Sequence, residues 1–480
     1  MSDKFPETMD FSGFNAPSHV ECEIYDLVVE GEIPAEIKGT WYRLTPDHQF
    51  PPSYADDTYL SGDGMISAFT FADGHVGFKS RYIMSERLKN DRAARRSLYG
   101  AYRNPFTDDP SVEGKSRGVY NTTPIWHGGK LLALKEDNRP MELHPRTLEA
   151  MGEWDFDGRL RSQTMTAHTR LDHETGELYF YGYEADGLAS NAIAFCVADR
   201  NGELIREDWF EAPYVSLMHD FLVTREHVLF PVFPMTTSME HLQKGGPHWY
   251  WDPDKTSFVG IMPRDGSVKD IRWFTGPVCS SFHFMNAFTD GNKVHMDFGY
   301  SSIVPFPFIQ KASGLQVSPQ DARSHYARWT FDLSKPEDTF EETIIAPPGD
   351  MPRIADKDHM QDYDIGYYQR FDPNNGPPLI AGPVGAGFNT ISRLEVKTGK
   401  MKDFCLNDKT TVQEHIHIPS KQPGHEGYLA FVADLHDQFL SDVILLEAEH
   451  IDKGPIARIK IPYRLRVQVH GNWVPAEALK

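Results

Sequence analysis

Cysteine is scarce in this chain: four in 480 residues, at Cys22, Cys196, Cys279 and Cys405, with no CxxC pair among them. That spacing argues against a disulfide-stapled scaffold and against a thiolate metal site. It reads as small buried apolar residues in a reducing compartment. Long apolar runs are missing as well. No stretch approaches the roughly 20 residues that a helix needs to cross a bilayer, and the opening MSDKFPETMD has no apolar core of a signal peptide. Positive charge is in deficit, with 48 Lys and Arg against 69 Asp and Glu, a net of −21. A phosphate-backbone partner needs a basic stripe, and none is visible. These shortages predict a cytoplasmic enzyme with a small-molecule partner, no nucleic acid and no integral membrane association.

Helical periodicity is also in short supply. One charged, amphipathic segment, Met84–Tyr99, reads as a helix. Most of the rest is β-rich runs broken by turn residues, with hairpin dipeptides at Asp73-Gly74, Asn201-Gly202, Asp265-Gly266 and Asp290-Gly291, and a weaker one at Thr398-Gly399. Seven units of this kind span about 39–86, 131–160, 176–213, 227–277, 292–354, 365–419 and 427–475. That count, and the lack of helices between strands, favour an all-β, seven-bladed β-propeller over an irregular pair of sandwiches. A single domain over 1–480 is then expected, because each blade adds its own small core. Irregular segments near 87–125, 235–250 and 300–325 would be inserted loops and short helices capping one face.

Among 21 histidines, most need no special role. His48, His75, His248, His425 and His450 sit in polar, turn-like contexts and read as solvated. His415 and His417 alternate on a strand and could pass for a metal pair, a reading with little weight. Four others share a setting in which a loop gives way to an apolar run or a closing turn: TAHTRL at His168, LMHDFLV at His219, SFHFMNAF at His283 and VQVHGNWVP at His470. Their separations are 51 (168 to 219), 64 (219 to 283) and 187 (283 to 470). Such spacings mean nothing on a linear fold. On a propeller, equivalent ends of the innermost strands converge on the axis. Four imidazoles suit Fe, Zn, Cu or Ni. They leave the +2 charge uncompensated unless carboxylates stand behind the rings.

The motifs SGDGM (61–65), ALKEDNRPMELHPRTLE (133–149), TAHTR (166–170), MHDF (218–221), SSFHFMNAF (280–288), DMPRI (350–354), VQEHIHIP (412–419) and HGNWVP (470–475) occur in one order. From about residue 20 to its end the chain resembles the carotenoid cleavage oxygenase family. The resemblance implies a seven-bladed propeller, one Fe(II) per chain held by His168, His219, His283 and His470, and O2 as co-substrate in cleaving a conjugated C=C bond to two carbonyl products. Family carboxylates behind the ligands match Glu136 and Glu414. The third, usually glutamate, is here Asp350, which leaves open whether the shorter side chain reaches an imidazole directly or through a water.

Within the family, the segment RSLYGAYRNPFTDDPSVEG (96–114) together with ALKED is most similar to the bacterial lignostilbene dioxygenase branch. There Tyr102 and Lys135 match the pair that holds a substrate's 4-hydroxyl group. That branch often carries an aromatic residue where this chain has Leu60, a change in how an aryl ring would pack. A phenol has a pKa near 10, and an adjacent ammonium lowers it by about 1–3 units, so Lys135 would favour the phenolate. Lys135 and Glu136 are adjacent, however, and on a regular strand would face opposite ways. Phe282 and Phe284 flank a ligand, and Phe306 and Phe308 sit in a proline-broken loop, so any of them could wall an aryl channel or simply pack in the core. The implied substrate is a phenolic stilbene cleaved to two aromatic aldehydes. An apocarotenoid substrate is the alternative within the family, a silent propeller used as a binding scaffold the alternative outside it, and homodimerisation a further expectation.

Overall fold

The structure is a computed structural model describing residues 4–311, 313–314 and 322–480. Among the described residues seven antiparallel sheets of four to six strands succeed one another along the chain, beside a two-stranded one that pairs Met235–Thr236 with Tyr250–Trp251. The second holds strands Thr123–His127, Lys130–Leu134, Met141–Leu143 and Ala150–Glu153; the third begins at Arg170–Leu171, the fourth at Leu222–Val223, the fifth at Phe284–Asp290 and the sixth at Asp350–Arg353. In the seventh, Thr410–Val412 and Ile416–Ile418 share one place beside Tyr428–Leu435. Gly471–Pro475 lies against Thr123–His127 and Ile416–Ile418, and Phe284–Asp290 against Leu222–Val223 and Asp350–Arg353, as the first strands lining the axis of a seven-bladed propeller do.

Both ends of the chain complete blades they do not begin. Gly471–Pro475 pairs with Gly39–Pro46 and becomes the innermost strand of the first blade. Near the other end, Cys22–Ile24 pairs with His75–Tyr82 on that blade's outer edge, and Val28–Gly31 pairs with Ala457–Lys460 on the outer edge of the seventh.

Burial explains the sequence pattern. Middle strands such as Leu178–Tyr183 are buried throughout and read as unbroken apolar runs, whereas outer strands such as Phe340–Ala346 are mostly exposed. Each blade packs its face on the next. Trp41, Phe69 and Phe78 of the first blade meet Tyr428, Val432 and Val443 of the seventh, and Leu132 and Leu134 of the second meet Phe180 and Cys196 of the third. Each such fully buried side chain contributes about 1.5–3 kcal/mol, so the ring is held by many local cores. The Asp73-Gly74 turn has φ of 51° and 84°, the mirror-image turn that joins two strands directly.

The sequence units begin one strand late. Their starts at 131, 176, 227 and 292 fall on or beside second strands, because several first strands are very short: Arg170–Leu171 and Leu222–Val223 are two residues each. His470, expected to close the last unit, closes the first blade instead. The helix expected over Met84–Tyr99 runs only Glu86–Ala94, capped by the Ser85 hydroxyl and ended by Arg95 in the left-handed region (φ 54°). Of the four cysteines, Cys196 and Cys279 are buried, while Cys22 and Cys405 are half-exposed.

Residues from the irregular segments are hydrogen-bonded to one another. The Asn104 side chain donates to the carbonyls of Leu242 and Gly246, the His248 N–H donates to the Tyr102 carbonyl, and the Trp251 N–H donates to the Gln310 carbonyl. A short helix, Met239–Gln243, lies among them. Part of the third such segment, 312 and 315–321, lies outside the described residues. Among the described residues no helix is long and apolar enough to cross a membrane.

Candidate metal centre

Four of the seven innermost strands are entered through a histidine. His168 stands two residues before Arg170–Leu171 and His219 three before Leu222–Val223; His283 and His470 immediately precede Phe284–Asp290 and Gly471–Pro475. Their rings meet on the axis. The His168 centroid lies 4.5, 4.9 and 4.6 Å from those of His219, His283 and His470. The candidate donor nitrogens all lie within 4.8 Å of one another.

The outward nitrogens fix the tautomers. Nδ1 of His470 donates to Glu414 at 2.8 Å, Nδ1 of His283 donates to Asp350 at 2.9 Å, and Nδ1 of His219 lies 3.3 Å from Glu136. An ionised carboxylate can only accept, so the proton sits on Nδ1 and the lone pair on Nε2. Among the described residues no carboxylate reaches the His168 ring. The Nε2 atoms of His168 and His219 are 2.9 Å apart, those of His219 and His283 are 3.3 Å apart, and the buried Nε2 of His470 has no hydrogen-bond partner. Between His219 and His283, whose protons both face carboxylates on Nδ1, the facing Nε2 lone pairs repel. A divalent cation among them removes the repulsion, and the three carboxylates offset its charge. The residues present therefore fit a metal.

The electrostatics agree. Burial works to raise the Glu136 pKa, but His219, Lys135 and Arg103 hold it far below the usual carboxylate range. Burial likewise opposes ionisation of Glu414, which Arg353 and His470 bring to about 2, and of Asp350, lowered chiefly by His283. Burial and the three neighbouring rings push His168 well down. His283 moves up instead, because Asp350 outweighs burial. Metal binding and protonation would compete at that ring.

The shorter Asp350 reaches its histidine directly. It opens the innermost strand of the sixth blade, beside the axis, at a bulge where Met351 adopts a left-handed φ of 53°. The Met351 N–H donates to Asp350 Oδ1 at 2.8 Å and fixes the carboxylate. Bulges of this kind re-aim side chains.

The Lys135–Glu136 difficulty also resolves. Strand Lys130–Leu134 ends just before them, so both lie in a turn: Lys135 goes to Tyr102, with Nζ donating to its hydroxyl at 3.4 Å, and Glu136 goes to His219. Both side chains are buried. Burial lowers the Lys135 pKa, but Tyr102, Glu136 and Asp137 raise it above the usual value; burial raises Tyr102, against the pull of Lys135. A relay of rings joins this pair to the histidines: Tyr102 to Phe308 (5.3 Å), Phe308 to Phe306 (5.5 Å), Phe306 to Phe282 (4.3 Å) and Phe282 to His219 (5.5 Å). Leu60 packs against the same cluster. Beside His283 lies a cavity of about 470 Å³, lined by Phe282, Phe306 and Asp350 on one side and Ala381, Val384 and Phe388 on the other. Tyr102, Lys135, Leu60 and Phe308 do not line it. Phe284 is buried core.

Sequence reasoning missed two features. The Ala381–Phe388 wall carries no motif. Arg103 had only its place beside Tyr102 to mark it. Its guanidinium lies 3.8 Å from Glu136, 3.3 Å from Asp137 and 3.3 Å from Glu184, and it donates to the Tyr183 hydroxyl at 2.8 Å. It therefore ties the Tyr102 loop to the carboxylate behind His219. Two histidines expected to be solvated are buried: His248, bonded to Glu184 at 2.9 Å, and His48, near Arg466. His417 spends its Nε2 on the Glu426 carbonyl, and neither it nor His415 joins a candidate metal cluster among the described residues.

The family model described as "Retinal pigment epithelial membrane protein" matches residues 15–475. The chain is 39% identical over 462 residues to the isoeugenol monooxygenase of Pseudomonas nitroreducens, covering 96% of each chain. It is 37% identical over 483 residues to the lignostilbene-alpha,beta-dioxygenase isozyme III of Sphingomonas paucimobilis, covering 99% of each. The crystal structure of the Pseudomonas brassicacearum lignostilbene dioxygenase matches with a TM-score of 0.95 at 39% identity, over 99% of this chain and 100% of that chain.

Proposed function

This chain belongs to the retinal pigment epithelial membrane protein family, the carotenoid cleavage oxygenases, and from that premise we propose that it is an iron(II) dioxygenase cleaving the central double bond of a 4-hydroxystilbene. The reaction balances as one stilbene plus one O2 giving two aromatic aldehydes. The protein would be cytoplasmic, with one iron per chain held by the Nε2 atoms of His168, His219, His283 and His470. Iron(II) bound there supplies the redox chemistry that activates O2.

The chain's own side chains do the rest. Glu136, Asp350 and Glu414 hold the Nδ1 protons and so keep three lone pairs aimed inward. Lys135 holds the phenolic oxygen as phenolate, and the Tyr102 hydroxyl donates a second hydrogen bond to it. Charge on that oxygen reaches the double bond by conjugation and makes it electron-rich. Phe282, Phe306 and Phe308 orient the aryl ring between the two ends and exclude water. The observation that carries this reading is the ring relay from Tyr102 to His219, an apolar path, half-buried at Phe306 and Phe308, with a cation and a hydroxyl at one end and four imidazoles at the other.

A second reading concerns the far side of the double bond. Isoeugenol and lignostilbene both join a phenol to a conjugated C=C, and differ in whether a methyl or a second aryl group lies beyond it. The similarity to an isoeugenol monooxygenase favours testing the smaller substrate too. Aerobic incubation of iron-loaded protein with hydroxylated stilbenes, isoeugenol and an apocarotenoid, followed by product analysis, decides. Two aldehydes from the phenolic stilbene are expected; cleavage of the apocarotenoid alone would overturn the substrate assignment.

A further inference from the structure

The axial cavity, about 350 Å³, is bounded by two sets of side chains with donor atoms suited to a metal, and the centre described above uses only one of them. His168, His283 and His470 lie where the innermost strands begin. His173, Asp356 and His359 line the same cavity where those strands have ended, two residues beyond Arg170–Leu171 and three beyond Asp350–Arg353. His173 Nε2 is 3.8 Å from Asp356 Oδ1, the rings of His173 and His359 are 5.5 Å apart, and one donor atom from each of the three residues lies within 4.8 Å of the others.

These residues come from opposite sides of the ring, the third and sixth blades, and the turn that carries two of them is pinned across the axis. The Arg225 N–H donates to the Met360 carbonyl at 3.0 Å. Asn286 donates from its side chain to the Asp358 carbonyl at 3.1 Å and accepts from the Met360 N–H at 3.1 Å. With the backbone anchored to the fourth and fifth blades, small side-chain rotations suffice to bring the donors onto one ion. Two imidazoles and a carboxylate with the remaining positions open form a donor set that takes first-row divalent metals.

The cavity between the two clusters admits a cation. Its charged lining comprises the carboxylates Asp220, Asp356 and Glu414 against the guanidiniums Arg170 and Arg353. Both guanidiniums are already engaged, Arg170 with both oxygens of Asp220 at 2.7 and 2.8 Å and Arg353 with Glu414 at 3.1 Å.

We propose that His173, Asp356 and His359 form a second, weaker divalent-cation site at the far mouth of the axial cavity, from which the metal is passed to the four-histidine centre. The proposal rests on reading those four histidines as the metal centre. It is the weaker site because it offers three protein ligands instead of four, on half-exposed or exposed side chains.

Co2+ titration of metal-free, full-length protein tests both the site and the reading beneath it. Wild type is expected to bind about two equivalents, one tight and one weak, since each donor set holds one ion. The His173→Ala/His359→Ala variant should lose the weak equivalent and keep the tight one, and Asp356→Asn should weaken the same equivalent. His219→Ala should do the reverse. In stopped-flow mixing at low Co2+, the four-histidine absorption band should rise more slowly in the double variant but reach the wild-type amplitude. A single equivalent in wild type, or a weak equivalent that survives the double variant, overturns the site. Loss of the weak equivalent with an unchanged filling rate overturns the delivery role. A tight equivalent that survives His219→Ala overturns the underlying reading instead.

Discussion

The two ends of the proposed substrate path are built differently. The histidine end draws one ring from each of four blades, and every ring is fixed by the start of an innermost strand, three of them also by a carboxylate. The end proposed to hold a phenol is a patchwork: Tyr102 and Phe308 come from loops and Lys135 from a turn beyond a strand. Under the proposed function, strands would hold the part that chemistry cannot vary and loops the part that selects a substrate. The difference teaches that substitutions at one end should change whether the reaction runs, and at the other, on what.

The sharpest way to break that division is His219→Ala. It should take tightly bound metal from about one ion per chain to near none and abolish turnover of every substrate. Metal analysis with activity on two unlike substrates checks it; full activity in metal-free protein would refute the centre. Lys135→Met should instead leave metal content alone and slow a 4-hydroxystilbene by roughly 30–1000-fold, the loss of about 2–4 kcal/mol from a charge-assisted bond to a desolvated oxygen. The 4-methoxy analogue should be a poor substrate for wild type, and the mutation should add little further loss. Equal slowing of both compounds would reduce Lys135 to a packing residue.

Carboxylate changes come next in size. Glu136→Gln and Asp350→Asn should each weaken metal retention or activity by about 10–100-fold. The direct 2.9 Å contact of Asp350 predicts a loss no smaller than that at Glu136, whose contact is 3.3 Å. Comparing metal dissociation rates ranks them, and a wild-type rate in Asp350→Asn would mean the contact does not hold. The smallest effect is in acid stability. The Glu414 pKa is depressed from 4.5 to about 2, so its stabilisation is present above 4.5 and fades as pH falls toward 2. In metal-free protein, acid unfolding over that window should be shallower for Glu414→Gln than for wild type; coincident curves would show that the pair contributes nothing.

Much of the metal end was legible because a histidine before an apolar run is a local pattern, repeated at His168, His219, His283 and His470. The blade boundaries were less legible, because a two-residue strand such as Leu222–Val223 has no periodicity to read. Its identity comes from pairing with His227–Val232, a tertiary fact. The motif ALKED marked both Lys135 and Glu136 but not the turn that lets them diverge. Asp350 was visible as a departure, while its reach depended on a bulge that residue types do not announce. Arg103 and the buried His248 were missed for a common reason: a charged residue in a polar loop gives no sign that the loop is folded inward.

The clasp at the chain's end has a consequence for how the enzyme comes into being. Strand Gly471–Pro475 closes the ring by pairing with Gly39–Pro46, and the residue just before it is the fourth histidine. During synthesis the other three histidines are made long before His470, so the centre cannot be complete until His470 and the strand after it leave the ribosome and dock. Closing the ring and filling the centre are therefore thermodynamically linked: an ion held by His470 raises the cost of opening the clasp, and an open clasp removes a ligand. A nascent or C-terminally clipped chain lacks a complete centre, and metal starvation should show first as fraying at this seam.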